Sequence, residues 1–218
     1  AIDNAPTVQA DAIGSGSASF DGTDDYLDGV GNCPTSAFTI SCWAKKVGEG
    51  GWYAIYSAAT EIWFGIGASE EVRLHVGGAD RIDTAGSSVT VGTWHHISAT
   101  YDGSTTGKIY IDGINQTISS SSGTLNVPDA TASNIGRYSS GGDYFDGNIC
   151  QVGIWDAALD QEQIQSIMEK TYEELTASEK EDLVSYWALD EQTGTDGEAG
   201  TGGVKDSHGS NHGTMYDS

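Results

Sequence analysis

The chain has 218 residues, of which 37% are hydrophobic and 9% aromatic. This length and composition are typical of one large domain with its own hydrophobic core. Its 32 acidic residues against 9 Lys and Arg give a net charge of −23, which repels nucleic-acid phosphates and anionic membranes. No apolar run approaches the roughly 20 residues of a membrane-spanning helix. We therefore expect neither nucleic acid nor a membrane as a partner.

Short segments with an apolar residue at every second position predict β-strands along most of the chain. Six Asp-Gly pairs, the first at 21 and the last at 196, are typical of tight turns, because glycine accepts positive φ. In the segment NICQVGIW, we expect Cys150, Val152 and Ile154 to share one face. The predicted strand-forming segments are 38–46, 51–58, 61–67, 72–78, 94–101, 108–113 and 148–155. Many short strands at such spacing predict a sandwich or a jelly roll.

Helix is predicted only late in the chain, in an excursion over about residues 158–182. Asp160 is a candidate N-cap, and the apolar residues that follow it share one helical face. Thr176 and Glu179 have the spacing of a capping box, which predicts a second short helix.

The chain contains three cysteines, Cys33, Cys42 and Cys150, and no C-x-x-C pair. Thiolate metal sites and thioredoxin-like redox chemistry are therefore not expected. One disulfide with a free thiol and three buried reduced thiols both remain open.

Four ordered segments resemble the laminin-G-like, concanavalin-A-like jelly-roll family. They are SASFDGTDDYLD (17–28), FTISCWAKK (38–46), VTVGTWHHISATYDGSTTGKIYIDGI (89–114) and FDGNICQVGIWDAALDQEQIQSI (145–167). The resemblance implies an all-β, two-sheet antiparallel jelly-roll sandwich that spans residues 1–218 as a single domain. Its closing strand is expected at about 183–190, and a C-terminal loop and strand at about 204–216. Similar lectin-like domains occur in marine phage and bacterial surface proteins.

The order of two motifs departs from the family pattern. A YWxLDE … DSxGxxHGT segment usually precedes the FDGTDDY strand in the family. Here YWALDE (186–191) and DSHGSNHGT (206–214) come last, so the chain resembles a circularly permuted member. We expect the terminal strand to fold back beside residues 17–28. The alternative is that it pairs with a neighbouring molecule and builds an oligomer or a filament.

Catalysis is the first function to test, because retaining glucanases with this sandwich resemble one another in a strand carrying E-x-D-x-E or E-x-D-x-x-E. Two such glutamates serve as nucleophile and acid/base. The nearest segment, EIWFG (61–65), has Trp63 in place of the aspartate and no second glutamate. The chain also lacks G-x-S-x-G and H-E-x-x-H. We therefore expect a protein that is not an enzyme.

Glycan recognition needs aromatic rings that stack on sugars and a few polar groups that bind hydroxyls. Each candidate tryptophan has core packing as its alternative role, and each arginine has the neutralisation of nearby acids. The candidate ligand-binding residues are Trp52, Tyr53, Trp63, Arg73, His75, Arg81, Arg137, Tyr138 and Tyr144.

Calcium is the expected metal, as a structural ion, because it prefers the oxygen ligands that Asp, Asn and backbone carbonyls supply. The resemblance implies a site in the loop from Asp206 to Asn211, with Asp190 nearby and Asp21 or Asp146 contributing. Cys150 stands where the family's closing motif has an aspartate, so that position supplies no oxygen ligand.

These observations favour a non-catalytic carbohydrate-binding or adhesion module of an extracellular or virion-surface protein. Its expected partner is a glycan or a cell-surface polysaccharide. The alternative is a structural assembly protein that uses the jelly roll as a packing unit against itself or other virion proteins.

Overall fold

The computed structural model describes residues 13–31, 33–77, 81–123, 125, 132–190 and 203–216. Two antiparallel β-sheets pack face to face and form the jelly-roll sandwich that the sequence predicts. Along each strand, successive side chains alternate between the buried inner face of the sandwich and its outer face, as the period of two requires.

The seven-stranded sheet has the order β1-β13-β3-β8-β9-β10, and β14 also pairs with β13. Its strands are β1 (Ala18–Asp21), β3 (Ala37–Lys46), β8 (His95–Asp102), β9 (Gly107–Ile111), β10 (Ile114–Asn115), β13 (Asp146–Trp155) and β14 (Leu183–Trp187). β3 and β13 lie at the centre of this sheet, and each is ten residues long.

The eight-stranded sheet has the order β11-β7-β6-β5-β4-β12-β2-β15. Its strands are β2 (Tyr26–Asp28), β4 (Tyr53–Ala58), β5 (Ile62–Ile66), β6 (Val72–Val76), β7 (Arg81–Asp83), β11 (Ser120–Ser122), β12 (Ser133–Ile135) and β15 (Thr214–Tyr216). The three predicted strand segments between residues 51 and 78 form its centre, which confirms that part of the pattern.

The main core lies between the two sheets. From β5 it takes Ile62, Phe64 and Ile66, whereas Trp63 between them is directed to the outer face of the eight-stranded sheet. The same alternation on β6 buries Val72, Leu74 and Val76. A smaller apolar cluster that includes Trp155 lies on the outer face of the seven-stranded sheet, beneath the helix described below.

The predicted face of β13 is wrong at Cys150. A β-bulge lies between Cys150 and Gly153, and Gln151 at its centre has φ of 52°. A bulge inserts one extra residue and shifts the alternation by one position. Ile149, rather than Cys150, therefore joins Val152 and Ile154 in the main core.

The helical excursion contains one α-helix, α1 (Gln161–Ile167), which begins at the predicted cap Asp160. The second predicted α-helix is wrong, because this stretch contains a 3₁₀ turn (Tyr172–Glu174) followed by hydrogen-bonded turns. The capping contacts between Thr176 and Glu179 are present. However, Trp155 and Lys170 also bind Glu179, and β14 begins at Leu183, so these contacts stabilise a turn.

The terminal segment folds back on its own chain, as the first of the two alternatives predicts. β14 pairs with residues 152–155 of β13, and β1 pairs with residues 146–149 of the same strand. The two strands thus lie end to end along one edge of β13. β15 pairs with β2 and extends the other sheet.

All three cysteines are buried and none forms a disulfide, in agreement with the alternative of three reduced thiols. Burial raises the pKa of the Cys33 thiol well above its usual range, with a smaller opposing effect from a hydrogen bond with Tyr56. Among the described helices, none has the length and apolarity to cross a membrane.

Candidate tryptophan cavity

One row of outward side chains crosses the centre of the eight-stranded sheet. Arg81, His75, Trp63 and Ser57 are successive cross-strand partners on β7, β6, β5 and β4. Because neighbouring strands lie roughly 4.8 Å apart, this row spans about 14 Å of the sheet. Period-two alternation places these residues on the outer face, because their strand neighbours fill the core.

A cavity of about 310 Å³ opens above this row. We call it the tryptophan cavity, and its lining residues are Trp52, Thr60, Trp63, Arg73, His75, Tyr138 and Asp143. Five of the nine predicted ligand-binding residues therefore come together: Trp52, Trp63, Arg73, His75 and Tyr138. Both Trp52 and Trp63 lie outside the core between the sheets, but Trp63 is buried, so the alternative role of packing is wrong for Trp52 alone.

Two indole rings shape the cavity. Trp63 is buried under its neighbours, whereas Trp52 is 38% exposed and is one of few large apolar side chains so placed among the described residues. Their ring centroids lie 6.0 Å apart at an interplanar angle of 72°. His75 also contacts Trp63, with ring centroids 5.9 Å apart. An exposed indole beside a fixed one is a suitable surface for stacking a sugar ring.

Arg73 packs against the exposed indole ring of Trp52. Its guanidinium carbon lies 4.1 Å from the centroid of Trp52, within the range of a cation–π contact. Nε of Arg73 donates to Asp83, and Nη2 lies 3.5 Å from Glu71 Oε1. Arg81 Nε binds the second oxygen of Asp83 at 3.0 Å. The two arginines thus neutralise nearby acids, which was the alternative to a direct contact with ligand.

Sequence reasoning missed Asp143, which is on the loop between β12 and β13. Gly141 and Gly142 have φ of 88° and 96°, and they turn this loop toward β4, where the Ala54 N–H donates to the Asp143 carbonyl at 2.8 Å. The Asp143 carboxylate accepts a hydrogen bond from Trp63 Nε1 at 3.1 Å. Burial raises the pKa of this carboxyl, and the indole hydrogen bond opposes that shift only in part. The available signal was the Gly-Gly-Asp turn.

The other predicted ligand-binding residues lie outside the cavity. Tyr53 stacks with Lys46, whose ammonium is 4.8 Å from the ring centroid. Arg137 covers one face of Tyr26 at 3.4 Å, and Tyr216 stacks parallel to Tyr26 with centroids 4.8 Å apart. Tyr144 is 6.5 Å from the same ring. Arg81 is on β7, and Arg137 and Tyr144 are in the loop between β12 and β13; none of the three lines the cavity.

The loop from Asp206 to Asn211 does not fit a calcium ion. Both carboxylate oxygens of Asp206 accept backbone N–H bonds, from Tyr186, His208, Gly209 and Asn211. Burial alone would raise the pKa of Asp206, but these donors outweigh it and lower the pKa. Asp206 therefore closes the terminal loop as a backbone acceptor. Asp190, which precedes this loop in the chain, accepts a hydrogen bond from Ser15.

Asp21 and Asp146, the other two predicted metal ligands, are cross-strand partners on β1 and β13. Asp21, Asp24 and Asp25 have carboxylate oxygens within 4.8 Å of one another, the one such group of acids, histidines and cysteines among the described residues. Burial and the charge of Asp21 both raise the pKa of Asp146. Asp21 Oδ1 accepts the backbone N–H groups of Thr23 and Asp24, and Asp25 Oδ2 accepts that of Asp21, so part of this oxygen set already serves as a backbone acceptor, as at Asp206.

A second cavity of about 300 Å³ lies on the opposite side of the sandwich, beside α1. It is lined by Trp155 and by acidic side chains, among them Glu162 and Asp182. Trp155 is buried, and its Nε1 already donates to the carbonyl of Glu179. This cavity therefore lacks the exposed aromatic ring that distinguishes the tryptophan cavity.

A sequence profile of the concanavalin A-like lectin/glucanases superfamily matches residues 21–165, about two thirds of the 218 residues. The chain belongs to this superfamily. The match covers the strands that carry Trp63, Arg73 and His75 as well as the loop of Asp143, and it ends before β14. The strands β14 and β15, which the sequence predicts to be permuted, thus lie outside the matched range.

Solved structures of the superfamily's fold extend the likeness over most of the chain. A candidate carbohydrate-binding protein from Bacteroides ovatus superposes with a TM-score of 0.69 at 20% identity, covering 92% of this chain and 58% of that one. Domain 4 of an extracellular arabinanase from Geobacillus stearothermophilus, in complex with arabinotriose, gives 0.57 at 20% identity, with 78% and 84% covered. A heptameric pentraxin from Limulus polyphemus gives 0.54 at 19%, with 68% and 79% covered. At these identities the likeness establishes the fold. A comparison with the sequences of curated proteins finds no match.

Proposed function

We propose that the chain is a non-catalytic carbohydrate-binding module and that it binds glycans in the tryptophan cavity. The observation that carries this proposal is the exposed ring of Trp52, held by Arg73 beside Trp63 and the carboxylate of Asp143. A sugar has two features that complement this site, an apolar ring face and hydroxyl groups that donate hydrogen bonds. Trp52 supplies the stacking surface, and Asp143 supplies the acceptor.

The comparisons support the same class of function. The superfamily includes lectins, and domain 4 of the arabinanase is in complex with arabinotriose. The Bacteroides ovatus protein with the same fold is a candidate carbohydrate-binding protein. Both proteins are similar to this chain in fold, and the residues that we propose to bind the glycan are those of the tryptophan cavity.

The absence of catalysis is part of the proposal. Glycoside hydrolysis generally uses two carboxyl groups that flank the scissile bond. Of the described residues that line the tryptophan cavity, Asp143 alone carries a carboxyl group. Asp83 and Glu71 are close by, but both are engaged by Arg73. This arrangement favours binding over cleavage.

The test is a panel of soluble polysaccharides in affinity electrophoresis, followed by calorimetry with the best ligand. Trp52→Ala is expected to weaken binding by about 2 kcal/mol, or roughly 30-fold, since an exposed aromatic anchor is removed. The matched control is Trp94→Ala, because Trp94 is a half-buried indole that stacks with Lys45 next to the other sheet. Equal affinities of the two variants would contradict the site, and reducing ends released from any polymer would contradict the non-catalytic assignment.

We further propose that the module acts outside the cell, on a cell or virion surface, where polymeric glycans are the available partners. In the structure the terminal strands pair within their own chain, so this segment needs no neighbour to complete its sheets. The alternative function as a structural assembly unit therefore has less support. Light scattering of the purified protein tests it, since a monomer at working concentration contradicts assembly through the terminal strand.

We also propose calcium at Asp21 and Asp146, two of the predicted metal ligands, together with Asp24 and Asp25, which the sequence analysis did not single out. An ion there would neutralise these carboxylates and join the β1 end of the sheet to β13. The expected result is a melting temperature that rises with millimolar Ca²⁺ and falls with EDTA in the wild type, but not in Asp24→Asn. Identical melting in Ca²⁺ and EDTA would contradict the proposal.

A further inference from the structure

We infer that the tryptophan cavity is selective for neutral glycans over acidic ones, and that Asp143 is the residue that discriminates between them. This inference rests on the proposed function and names the chemical class of the ligand. It is argued from the charges and hydrogen bonds of the cavity lining.

The arginines near the cavity do not form an anion-binding site. Recognition of a carboxylate or sulfate by arginine typically uses two parallel N–H donors of a free guanidinium. In Arg73, Nε binds Asp83, Nη2 faces Glu71, and one face of the group covers Trp52. The side chain is 15% exposed. Arg81 is directed to the same Asp83. The charges of the two arginines are thus balanced by two acids.

Asp143 adds a negative charge to this balanced set. One of its carboxylate oxygens, Oδ2, accepts from Trp63, and the other accepts no hydrogen bond from the described part of the chain. A carboxylate is an acceptor only, so its natural partners in a sugar are hydroxyl groups. A hydroxyl satisfies the free oxygen, whereas a sugar carboxylate or sulfate at the same place offers no proton and is repelled.

The charge of the whole molecule acts in the same direction. The net charge of −23 disfavours the approach of any polyanion, but this effect is long-range and is screened by salt. Repulsion by Asp143 is local and acts in a partly water-excluded cavity, where screening is weaker. The two contributions can therefore be separated by comparing one substitution inside the cavity with one outside it.

The experiment uses three forms of the same polymer for each of two probes, β-1,3-glucan and β-1,4-galactan, both of which keep a free primary hydroxyl on every sugar. The forms are the neutral polymer, the polymer with its primary hydroxyls oxidised to carboxylates, and the methyl ester of that oxidised polymer. The ester removes the charge without restoring the hydroxyl, so it separates repulsion from the loss of a donor. Binding is measured at pH 8.

The protein variants are Asp143→Asn and, as the matched control, Asp28→Asn. Asp28 lies on β2 in the same sheet and does not line the cavity, so its substitution changes the net charge equally. Asn tolerates the φ of 48° at position 143 about as well as Asp does, and its amide oxygen can keep the bond with Trp63. A melting curve of each variant checks folding.

The expected result for the wild type is binding of the oxidised polymer at least about tenfold weaker than that of the neutral one, with recovery in the ester. Asp143→Asn should reduce this ratio to about threefold or less, and Asp28→Asn should leave it unchanged. Salt between 50 and 500 mM should leave neutral binding unchanged.

Three results would overturn the inference. They are equal or tighter binding of the oxidised polymer by the wild type, equal effects of the two substitutions on the ratio, and an ester that binds as weakly as the acid. The first of these results concerns the wild type alone, so it does not depend on whether the variants fold. Binding without discrimination overturns this inference alone, whereas no binding of any neutral or acidic polymer overturns the proposed function with it.

Discussion

His96 is predicted to make the stability of the fold depend on pH between about 6.5 and 4. The side chain is 3% exposed, on the outer face of β8, and its Nε2 lies 2.8 Å from Ser41 Oγ. Ser98 Oγ donates to that same Oγ at 2.8 Å, which leaves Ser41 as donor to a neutral imidazole. Protonation would place two donors against each other and a charge in the interior.

The size of the effect follows from the pKa. Burial lowers the pKa of His96 from 6.5 to about 4, although the nearby charge of Asp112 opposes this. The difference of 2.5 units corresponds to about 3 kcal/mol at 1.36 kcal/mol per unit. Since the unfolded state binds the proton more tightly, this stability is present above pH 6.5 and is lost as the pH falls. About 2.5 kcal/mol is lost by pH 4.5.

The assay is urea denaturation at pH 7.5, 6.0, 5.0 and 4.5 for the wild type, His96→Gln and His208→Gln. Gln keeps a hydrogen-bonding group near Ser41 but does not titrate, so its free energy of unfolding should fall less steeply with acid. The difference in slope should amount to about 2 to 3 kcal/mol across the range. His208 is exposed and serves as the control, which should follow the wild type. Parallel curves for the wild type and His96→Gln would refute the reasoning.

Three further predictions concern other buried groups. Because burial raises the pKa of Asp143, its charge opposes folding at neutral pH, so Asp143→Asn should raise the melting temperature at pH 7. That gain should vanish below the usual carboxyl range, and a variant that melts lower at pH 7 would contradict it. Asp206→Ala should lower the free energy of unfolding in urea by about 3 kcal/mol, with or without EDTA, because four backbone donors lose their acceptor. A loss seen only with calcium present would instead indicate a metal ligand. The three cysteine thiols should be unreactive toward Ellman's reagent in the native protein and fully reactive in denaturant. Rapid reaction of any thiol in the native protein would contradict its burial.

Much of the site could be predicted because alternation along a strand is readable in sequence. Trp63, Arg73 and His75 occupy the positions between apolar residues on β5 and β6, so all three must face the same way once the sheet forms. Their common location in one cavity follows from the register of the two strands. The side of the sheet on which these three residues lie is therefore readable from local pattern, whereas its interpretation as a binding face also depended on the resemblance to lectin-like domains.

Asp143 could not be predicted in the same way, because loops have no such periodicity. Its place depends on two glycines with positive φ and on a backbone contact with Ala54, both set by tertiary structure. The role of Asp206 was hidden for a related reason. An acidic residue in a Gly/Asn loop suits a metal and a backbone acceptor equally well, and only the positions of the four N–H groups distinguish them.

The bulge at Gln151 shows a limit of the strand pattern itself. The sequence of β13 alternates well enough to predict one continuous face. However, Gln151 has a positive φ and shifts the alternation by one position, so that Ile149 rather than Cys150 faces the main core. A bulge changes the pairing of two strands, and pairing is not a property of either strand alone.

The end-to-end placement of β1 and β14 along β13 has a consequence for biosynthesis. β13 is synthesised before residues 183–187, and β2 before residues 214–216, so on the ribosome half of one edge of β13 and one edge of β2 are still unpaired. Both sheets therefore become complete only after the terminal segment has left the exit tunnel. Until then the nascent chain carries two open strand edges, which is where a chaperone would be expected to bind.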